Sequence, residues 1–417
     1  MRPGLGWAGP YSASMPTFER PQDTTHARRR NQERGTGNIV TMDLIIGTRP
    51  EAIKMAPLAL ALRRRGVEAR IISTGQHQQV VTDALALFGI AADVALNIFE
   101  HGQSLSSISA RALHAVDGLL SGGGTDAVVV QGDTNSAAAA GIAAAYRQVT
   151  LVHLEAGLRT GVKSNPFPEE LNRRMISSIA DLHLTPTVEA KSNLVAEGIE
   201  PSAIITTGNT VIDAALHVAA AEGGSSAEGA QSLGSAPRTI LVTAHRRESW
   251  GARMAGALSA VGEVARANPD VEVLLAAHPN PAVQHVVESV LGNQPRVRIV
   301  PPLSYVEFIR AMASCYVVVT DSGGVQEEAP SFGKPVLVMR DTTERPEGVR
   351  AGVAALVGTD PERIRTALSE LLHDPGRYQA MARAVNPYGD GRAGDRAADA
   401  ILWFSGRASS KPEDFKA

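Results

Sequence analysis

From residue 42 onward the chain repeats one pattern, in which a short apolar run is followed by glycine or polar residues and then by an Ala/Leu-rich helical stretch. Apolar runs that alternate with helices are typical of strands covered on both faces, so the pattern predicts parallel sheets flanked by helices. The first set of predicted strands is 43–46, 69–74, 127–131, 151–154, 182–185 and 204–207. The second set is 239–243, 271–276, 297–300, 316–320, 336–339 and 354–357. Two such sets predict an α/β fold with two doubly wound domains.

A stretch rich in Gly, Ser and Ala at 222–236 separates the two sets of strands. The pattern predicts an N-terminal domain over 41–207 and a C-terminal domain over 208–387. A last helical stretch at 388–405 has no strand after it, and we expect it to pack back on the first domain.

Two terminal segments fall outside these domains. Residues 1–40 have no apolar periodicity and more arginines than acids, and they are predicted to be a disordered N-terminal extension. They lack the apolar core of a secretory signal, although an RNA-binding arm or a transit peptide is an alternative. Residues 406–417 are predicted to be a flexible tail.

Composition narrows the classes of function. The 417 residues carry 40 Lys and Arg against 43 Asp and Glu, a formal net charge of −3, so no overall field favours nucleic acid or an anionic membrane. The single cysteine, Cys315, excludes an internal disulfide and a zinc site of paired cysteines, which favours a reducing compartment and a cytoplasmic protein. No apolar run approaches the ~18 residues of a membrane span. We expect neither nucleic acid nor a membrane as partner.

The residues that directly follow the predicted strands are polar in both halves of the chain. Open parallel sheets bind ligands beyond the carboxyl ends of their strands, so these positions are the candidate site. They are 47–49, 75–77, 132–134, Glu155, 245–248, 278–280, 321–324 and 340–341. Ser322, Gly323 and Gly324 connect a strand to a helix, where backbone N–H groups can receive a phosphate. The convergence of carboxylates, histidines and arginines predicts a phosphate-bearing substrate and acid–base chemistry.

Each of these residues also has an ordinary structural explanation. Glu169 follows Pro168 at a helix start, where an acid complements the helix dipole whatever the function. Charges on helices, such as Lys54 and Arg173, are mostly solvated. The chain has neither G-x-G-x-x-G after its first strand nor G-x-x-x-x-G-K-[ST], which disfavours bound nicotinamide and P-loop chemistry. Its histidines and acids lack metal-ligand spacing, so we predict no metal and no cofactor.

Eight segments at or near the strand ends form a set of ordered motifs: 47–54 (GTRPEAIK), 132–134 (GDT), 153–160 (HLEAGLRT), 166–170 (PFPEE), 208–211 (GNTV), 245–248 (HRRE), 320–330 and 341–347 (DTTERPE). These motifs closely resemble those of the bacterial non-hydrolysing UDP-N-acetylglucosamine 2-epimerases. The likeness runs from about 42 to 403, which is nearly the whole chain outside the extension.

The resemblance implies two Rossmann-like domains facing a central cleft, as in nucleotide-sugar glycosyltransferases. It also implies interconversion of UDP-N-acetylglucosamine and UDP-N-acetylmannosamine without a cofactor, in a homodimer. In the family, UDP leaves by elimination as the C2 proton is removed, and UDP adds back to the bound glycal after reprotonation on the other face.

Carried over position by position, the resemblance implies three groups of residues. The catalytic group is Asp133, Glu155, Glu169 and His245. The substrate-binding group is Arg49 and Lys54, the phosphate cradle Ser322, Gly323 and Gly324, Glu328 for the ribose and Phe308 beside uracil. A second, regulatory UDP-sugar site is implied at Gln76, Gln79, Gln103 and His278, although Gly102 stands where some relatives have arginine. The sequence leaves open which carboxylate is the base, and Phe308 can equally be a core residue.

Three alternatives stay open beside this function. A hydrolysing epimerase would release UDP and free N-acetylmannosamine, and a close relative would act on a more modified UDP-sugar. A protein of a different class, a non-catalytic nucleotide-sugar sensor, is expected to lack one of the three carboxylates or His245, and this chain has all four.

Overall fold

The computed structural model describes residues 41–75, 78–100, 102–164, 166–221, 237–245 and 250–417. The N-terminal extension and the 222–236 linker predicted above lie outside the described residues. Two parallel sheets, one of seven strands and one of six, form the framework. The prediction of an α/β fold with two doubly wound domains is confirmed. The chain that the structure describes contains no helix with both the length and the apolar character needed to cross a membrane.

The first sheet has the strand order β3-β2-β1-β4-β5-β6-β7. Its strands are β1 (Thr41–Ile46), β2 (Glu68–Ser73), β3 (Val94–Ala95), β4 (Ala127–Gln131), β5 (Thr150–Leu154), β6 (Leu182–Thr185) and β7 (Ile204–Thr206). The helices around it are α1 (Arg49–Arg64), α2 (Gln78–Ala86), α3 (Leu105–Ser121), α4 (Asn135–Tyr146), α5 (Glu169–Ile179), α6 (Val188–Ala196) and α7 (Thr210–Ala221). A single 3-10 turn, Pro201–Ala203, precedes β7.

The second sheet has the order β10-β9-β8-β11-β12-β13. Its strands are β8 (Arg238–Ala244), β9 (Val271–Ala277), β10 (Val297–Val300), β11 (Val317–Thr320), β12 (Val336–Val338) and β13 (Ala354–Leu356). The accompanying helices are α8 (Ala252–Ala267), α9 (Pro281–Leu291), α10 (Tyr305–Ser314), α11 (Gly323–Glu328), α12 (Pro346–Arg350), α13 (Pro361–His373) and α14 (Pro375–Ala382). A 3-10 turn, Ala329–Phe332, continues α11.

The apolar runs form central strands because both faces of each sheet are covered. Every residue of β1, β4 and β6 is buried. The alanine-rich helix α4 is buried along most of its length, and its small side chains allow α3 and α5 to pack closely against it. Burial of this helix explains why its composition is apolar although it crosses no membrane.

The C-terminal helix α15 (Ala393–Phe404) packs on α1 of the first domain. Arg65, directly after α1, pairs with Asp395 at 2.8 Å and with Asp399 at 2.7 Å. The main chain of Gly394 lies so close to Pro57 that a Cβ at Gly394 would be 2.9 Å from the Pro57 carbonyl carbon and oxygen. The chain therefore returns to the first domain after completing the second.

The segment 406–417, predicted to be a flexible tail, makes specific contacts with the edge strand β7. The Asp414 carboxylate accepts hydrogen bonds from the Thr206 amide at 2.7 Å and from the Lys191 ammonium at 2.6 Å. The Phe415 amide donates to the Thr206 carbonyl at 2.7 Å, and the Phe415 side chain is buried. These bonds occupy backbone groups that an edge strand otherwise leaves unpaired.

Both sheets have their topological switch point between the first and fourth strands of their own set. In the first sheet β1 lies between β2 and β4, and in the second sheet β8 lies between β9 and β11. Chain connections leave such a point in opposite directions, so a crevice opens at the carboxyl ends of the two central strands. The loops at these points contain 47–49, 132–134, His245 and 321–324, and these positions define the candidate site.

Candidate active site

Glu155, directly after β5, is the most tightly held of the predicted carboxylates. Its side chain accepts two hydrogen bonds from the Lys54 ammonium, at 2.6 and 2.7 Å, and a further hydrogen bond from the Gln131 amide. Burial raises the pKa of Glu155, but the charge and hydrogen bonds of Lys54, together with the Arg345 charge and the Asn209 hydrogen bond, outweigh burial and keep the pKa below its usual range. Glu155 is therefore held as an ionised carboxylate.

A network of buried charges connects Glu155 to the second domain. Asn209, just after β7, donates one amide hydrogen bond to Glu155 at 3.0 Å and another to Glu327 on α11 at 2.9 Å. Arg345 donates a hydrogen bond to the other oxygen of Glu327. Burial lowers the pKa of the Arg345 guanidinium, but the negative charges of Glu327 and Glu155 outweigh burial and raise it. One amide thus fixes two carboxylates from different domains.

Asp133, directly after Gly132, is held by two residues of α5. The Arg173 guanidinium pairs with the Asp133 carboxylate at 2.7 Å, and the Asn172 amide donates to the Asp133 carbonyl at 2.8 Å. A Cβ at Gly132 would be 3.7 Å from the Glu155 carboxylate. The loop that contains Asp133 is therefore adjacent to Glu155, and Arg173 is paired rather than solvated.

Glu169 is the first residue of α5, one turn before Arg173. Its Oε2 atom is inaccessible to solvent and has no hydrogen-bond partner among the described residues. The neighbouring Glu170 is fully buried and accepts hydrogen bonds from the Thr160 amide, Arg173 and Arg174. The adjacent acids thus differ: Glu170 is satisfied within the protein, and Glu169 keeps an unpaired oxygen.

At the second switch point, His245 and Asp321 form a hydrogen-bonded pair. The His245 Nδ1 atom lies 2.8 Å from the Asp321 carboxylate, and the His245 amide donates to the same carboxylate at 2.8 Å. Asp321 is buried, whereas the His245 side chain is 41% exposed. Asp321 therefore holds one side of His245, and the imidazole stays partly accessible. His278 stacks against His245 with 6.3 Å between ring centroids.

The predicted phosphate cradle directly follows Asp321. The Ser322 amide donates to the Thr320 hydroxyl at 2.9 Å, and Gly323 begins α11. Gly324 is exposed, and a Cβ placed there would meet nothing within 4 Å. The first-turn amides of a helix lack intrahelical partners, so those of Gly323 and Gly324 can receive an anion.

The last residue of α11, Glu328, is buried beside Tyr305. The Tyr305 hydroxyl donates to the Glu328 carboxyl at 3.3 Å. Burial, reinforced by the charge of Glu327, raises the pKa of Glu328 to about 8. Phe308, on the same helix as Tyr305, is partly buried and packs against the main apolar cluster. The structure therefore gives Phe308 the core contacts that the sequence left as an alternative.

The remaining predicted residues are less closely grouped. Arg49 is exposed at the start of α1, and Gln79 is exposed on α2, where it bonds Asp83 of the same helix at 2.8 Å. Gln103 is half-buried, and Gln76 lies outside the described residues. Among the three regulatory candidates that the structure describes, His278 is the one seen to contact a residue predicted to be catalytic.

A cavity of about 400 Å³ lies between the domains beside this site. Its lining includes Arg159 of the first domain and Arg340 of the second, but both guanidinium groups pair with protein carboxylates, those of Glu197 and Glu344. The cavity therefore offers few unsatisfied charges to a ligand. Within the described ranges no cluster of three or more His, Cys, Asp or Glu side chains could hold a metal ion.

Sequence reasoning missed the roles of Asn209, Glu327 and Arg345. All three belong to the motif segments quoted above, so the segments were identified but not the pairing between them. The pairing depends on how two domains meet, which local periodicity does not encode. One sequence signal could have indicated a role for Glu327: it is a second acid, directly before Glu328, in a short helix that follows a buried strand.

Comparison with known proteins agrees with the geometry. A family model described as UDP-N-acetylglucosamine 2-epimerase matches residues 60–402. The chain is 45% identical over 372 residues to the UDP-N-acetylglucosamine 2-epimerase of Bacillus subtilis, covering 89% of this chain and 97% of that protein. It is 43% identical over 364 residues to the enzyme of the same name from Escherichia coli K12, covering 86% and 97%.

Solved structures show the same similarity. The Neisseria meningitidis UDP-GlcNAc 2-epimerase bound to UDP-GlcNAc superposes with a TM-score of 0.79 at 38% identity, covering 87% of this chain and all of that one. The Methanocaldococcus jannaschii enzyme, in complex with UDP-GlcNAc and UDP, gives a TM-score of 0.70 at 30% identity, with 87% and 100% coverage. A glycosyltransferase at 14% identity and a TM-score of 0.59 shares the fold alone. The chain belongs to the UDP-N-acetylglucosamine 2-epimerase family.

Proposed function

We propose that this protein is an isomerase that interconverts UDP-N-acetylglucosamine and UDP-N-acetylmannosamine by eliminating UDP, holding the glycal and adding UDP back. The observation that carries the proposal is the buried Glu155 carboxylate, which Lys54 keeps ionised at the edge that faces the second domain. Membership of the family and two relatives solved with UDP-GlcNAc support the substrate.

The reaction needs a base and a stabilised leaving group. A carboxylate removes the C2 proton, the electrons of that C–H bond form the C1–C2 double bond, and the C1–O bond breaks with its electrons on UDP. The C2 proton beside an acetamido group is only weakly acidic, so the base must be positioned and the departing diphosphate stabilised. Protonation of the glycal on the other face and return of UDP to C1 complete the exchange.

The acid–base set is Asp133, Glu155 and Glu169, all at the carboxyl edge of the first sheet. Glu155 is held ionised by Lys54, and Asp133 is fixed by Arg173. Glu169 has an oxygen without a protein partner among the described residues, which suits a group that meets substrate. We assign the proton transfers to this set of three carboxylates.

The second domain binds the nucleotide in this proposal. His245, oriented by Asp321, and Arg49 lie near the diphosphate. The amides of Gly323 and Gly324 complete its cradle, beside Ser322, whose own amide donates to Thr320. The remaining contacts come from Glu328, which receives the ribose hydroxyls, and Phe308, which contacts uracil. A diphosphate held by donors on both domains would stabilise a closed cleft.

A second UDP-sugar acts as an effector at Gln76, Gln79, Gln103 and His278. The stacking of His278 on His245 supports coupling, because an effector that orders His278 also orders its neighbour. A reaction started from UDP-N-acetylmannosamine alone should show a lag that trace UDP-N-acetylglucosamine removes; linear progress from the first turnover would argue against an effector. We further propose a cytoplasmic homodimer.

Product analysis separates this function from its alternatives. Phosphorus NMR of a reaction with UDP-N-acetylglucosamine should show a second UDP-sugar and no net accumulation of UDP. Stoichiometric UDP with free N-acetylmannosamine would instead indicate the hydrolysing enzyme. UDP-sugar binding without turnover would indicate a sensor, and turnover only of a more modified UDP-sugar would indicate a relative with another substrate.

A further inference from the structure

We propose that Glu51 is a positioning residue that couples the loop before Arg49 to the loop that contains Asp133. Neither Glu51 nor its partner Thr134 is assigned a role in the function proposed above. The inference rests on that function, because it supposes that Arg49 contacts the diphosphate and that Asp133 belongs to the acid–base set.

One carboxylate oxygen of Glu51 fixes the backbone before Arg49. Oε2 accepts hydrogen bonds from the Gly47 amide at 2.9 Å, the Thr48 amide at 2.7 Å and the Thr48 hydroxyl at 2.8 Å. Thr48 and Glu51 form the capping box of α1, an arrangement that many helices use only to begin. This half of the contacts alone would be structural.

The other oxygen of Glu51 reaches across the switch point. Oε1 accepts a hydrogen bond from the Thr134 hydroxyl at 2.7 Å. Thr134 directly follows Asp133, and its hydroxyl also accepts from the Ala137 amide at 3.0 Å, so it caps α4. A capping box does not require the bond between Thr134 and Glu51. This bond connects the loop after β1 to the loop after β4.

The loop after β1 also packs closely against the first turn of α4, directly after Thr134. A Cβ at Gly47 would lie 2.8 Å from the Ser136 hydroxyl, which is too close for any residue but glycine without movement. Glu51 itself is 1% exposed. A buried carboxylate with four donors around it stays in one place, so a shift of either loop would be felt by the other.

Thr134 offers a variant that breaks only one side of this connection. Thr134→Val removes the bond to Glu51 and leaves the three bonds at Gly47 and Thr48 intact. We expect the rate of C2 proton exchange to fall roughly 10-fold to 100-fold, the scale for a misplaced catalytic group, while UDP affinity stays within about twofold. Thr134→Ser keeps the hydroxyl and should restore the rate.

Loss of a helix cap is the alternative explanation, and a matched control removes it. The Asp374 side chain caps α14 through the Arg377 amide, at the end of α13 that lies away from the site. Asp374→Ala should lower the melting temperature about as much as Thr134→Val with no change in exchange rate. An equal rate loss in both variants would overturn the inference.

Glu51→Ala tests both sides of the connection at once. It should weaken UDP binding as well as slow exchange, which Thr134→Val should not do. If Glu51→Ala does not fold, the comparison of Thr134→Val with Thr134→Ser decides alone. If the unmodified protein exchanges the C2 proton and Thr134→Val exchanges it at the same rate, the inference is overturned. If the unmodified protein does not exchange the C2 proton at all, the proposed function is overturned instead.

Discussion

Glu155 combines two features that rarely coincide in a residue with a purely structural role. It adopts a left-handed backbone conformation, with φ of 62°, which costs a non-glycine residue on the order of 1–3 kcal/mol and is common at functional sites. Its carboxylate is also buried in contact with one cation and two amides. The surrounding bonds hold the strained residue with its charge directed toward the second domain.

Replacing Lys54 should change the pH dependence of the reaction. The Lys54 charge helps to keep the pKa of Glu155 below its usual range, so Glu155 is protonated at a lower pH than an ordinary glutamate. In Lys54→Met the acidic limb of the kcat profile should move up by at least about one pH unit. Lys54→Arg retains the charge and should keep the limb near its original place. A limb that stays unmoved in Lys54→Met would exclude Glu155 from the acid–base step.

Glu328 should make the folded protein less stable as the pH rises. Burial raises its pKa from 4.5 to about 8, so the folded protein favours the protonated form. The resulting stability is fully present below pH 4.5 and is lost as the pH rises through about 8. Glu328→Gln should therefore gain in melting temperature over the unmodified protein between pH 5 and pH 8.5, as calorimetry can measure. Glu272 is exposed, so the melting temperature of Glu272→Gln relative to the unmodified protein should not change with pH. A melting-temperature difference for Glu328→Gln that stays constant with pH would contradict the raised pKa.

At the scale of elements, the C-terminal segment covers the edge of the first sheet. Phe415 is buried against Arg396, whose guanidinium lies 4.9 Å from the ring centroid, and Asp414 bonds the β7 backbone. Phe415→Ala should lower the free energy of unfolding by up to about 3 kcal/mol, the lower range for removing a buried aromatic ring. Removal of only 416–417, both exposed, is the control. Equal melting temperatures for Phe415→Ala and the unmodified protein would mean that the contacts add nothing.

Most strands could be predicted from the sequence because apolar runs between glycines are a strong local signal. Strand β3 was missed since its two residues, Val94 and Ala95, are too few to show any periodicity. The contacts of 406–417 were missed for another reason: Asp414 and Phe415 find partners more than 200 residues earlier along the chain. Such contacts follow from the return of α15 and not from the local composition.

The candidate site was predicted in part for a similar reason. Polar residues at strand ends, such as Glu155 and Asp133, are visible in the sequence because sheet topology assigns them an edge. Arg173 was as consistent with a solvated helix face as with the pair it makes with Asp133. The resemblance to a known family supplied roles that composition and periodicity cannot give.

For the whole molecule, the two domains meet through polar contacts as well as through apolar packing. Besides the Asn209 bridge, the Thr187 hydroxyl donates to Glu347 at 2.8 Å, and Arg350 pairs with Glu189. Both connections join α6 of the first domain to α12 of the second. Polar contacts between domains are easily exchanged for water, which suits the opening and closing of the cleft that the proposed function requires.

The central claim is that this molecule exchanges the C2 proton of a UDP-sugar with solvent while it interconverts two epimers. Proton NMR of the full chain with UDP-N-acetylglucosamine in deuterated water, without added nicotinamide, tests it directly. The C2 proton should disappear from both UDP-sugars as the second epimer accumulates, and Glu155→Gln should slow this loss roughly 10²-fold or more. An epimer that keeps its original C2 hydrogen, or a strict requirement for added nicotinamide, would contradict the claim.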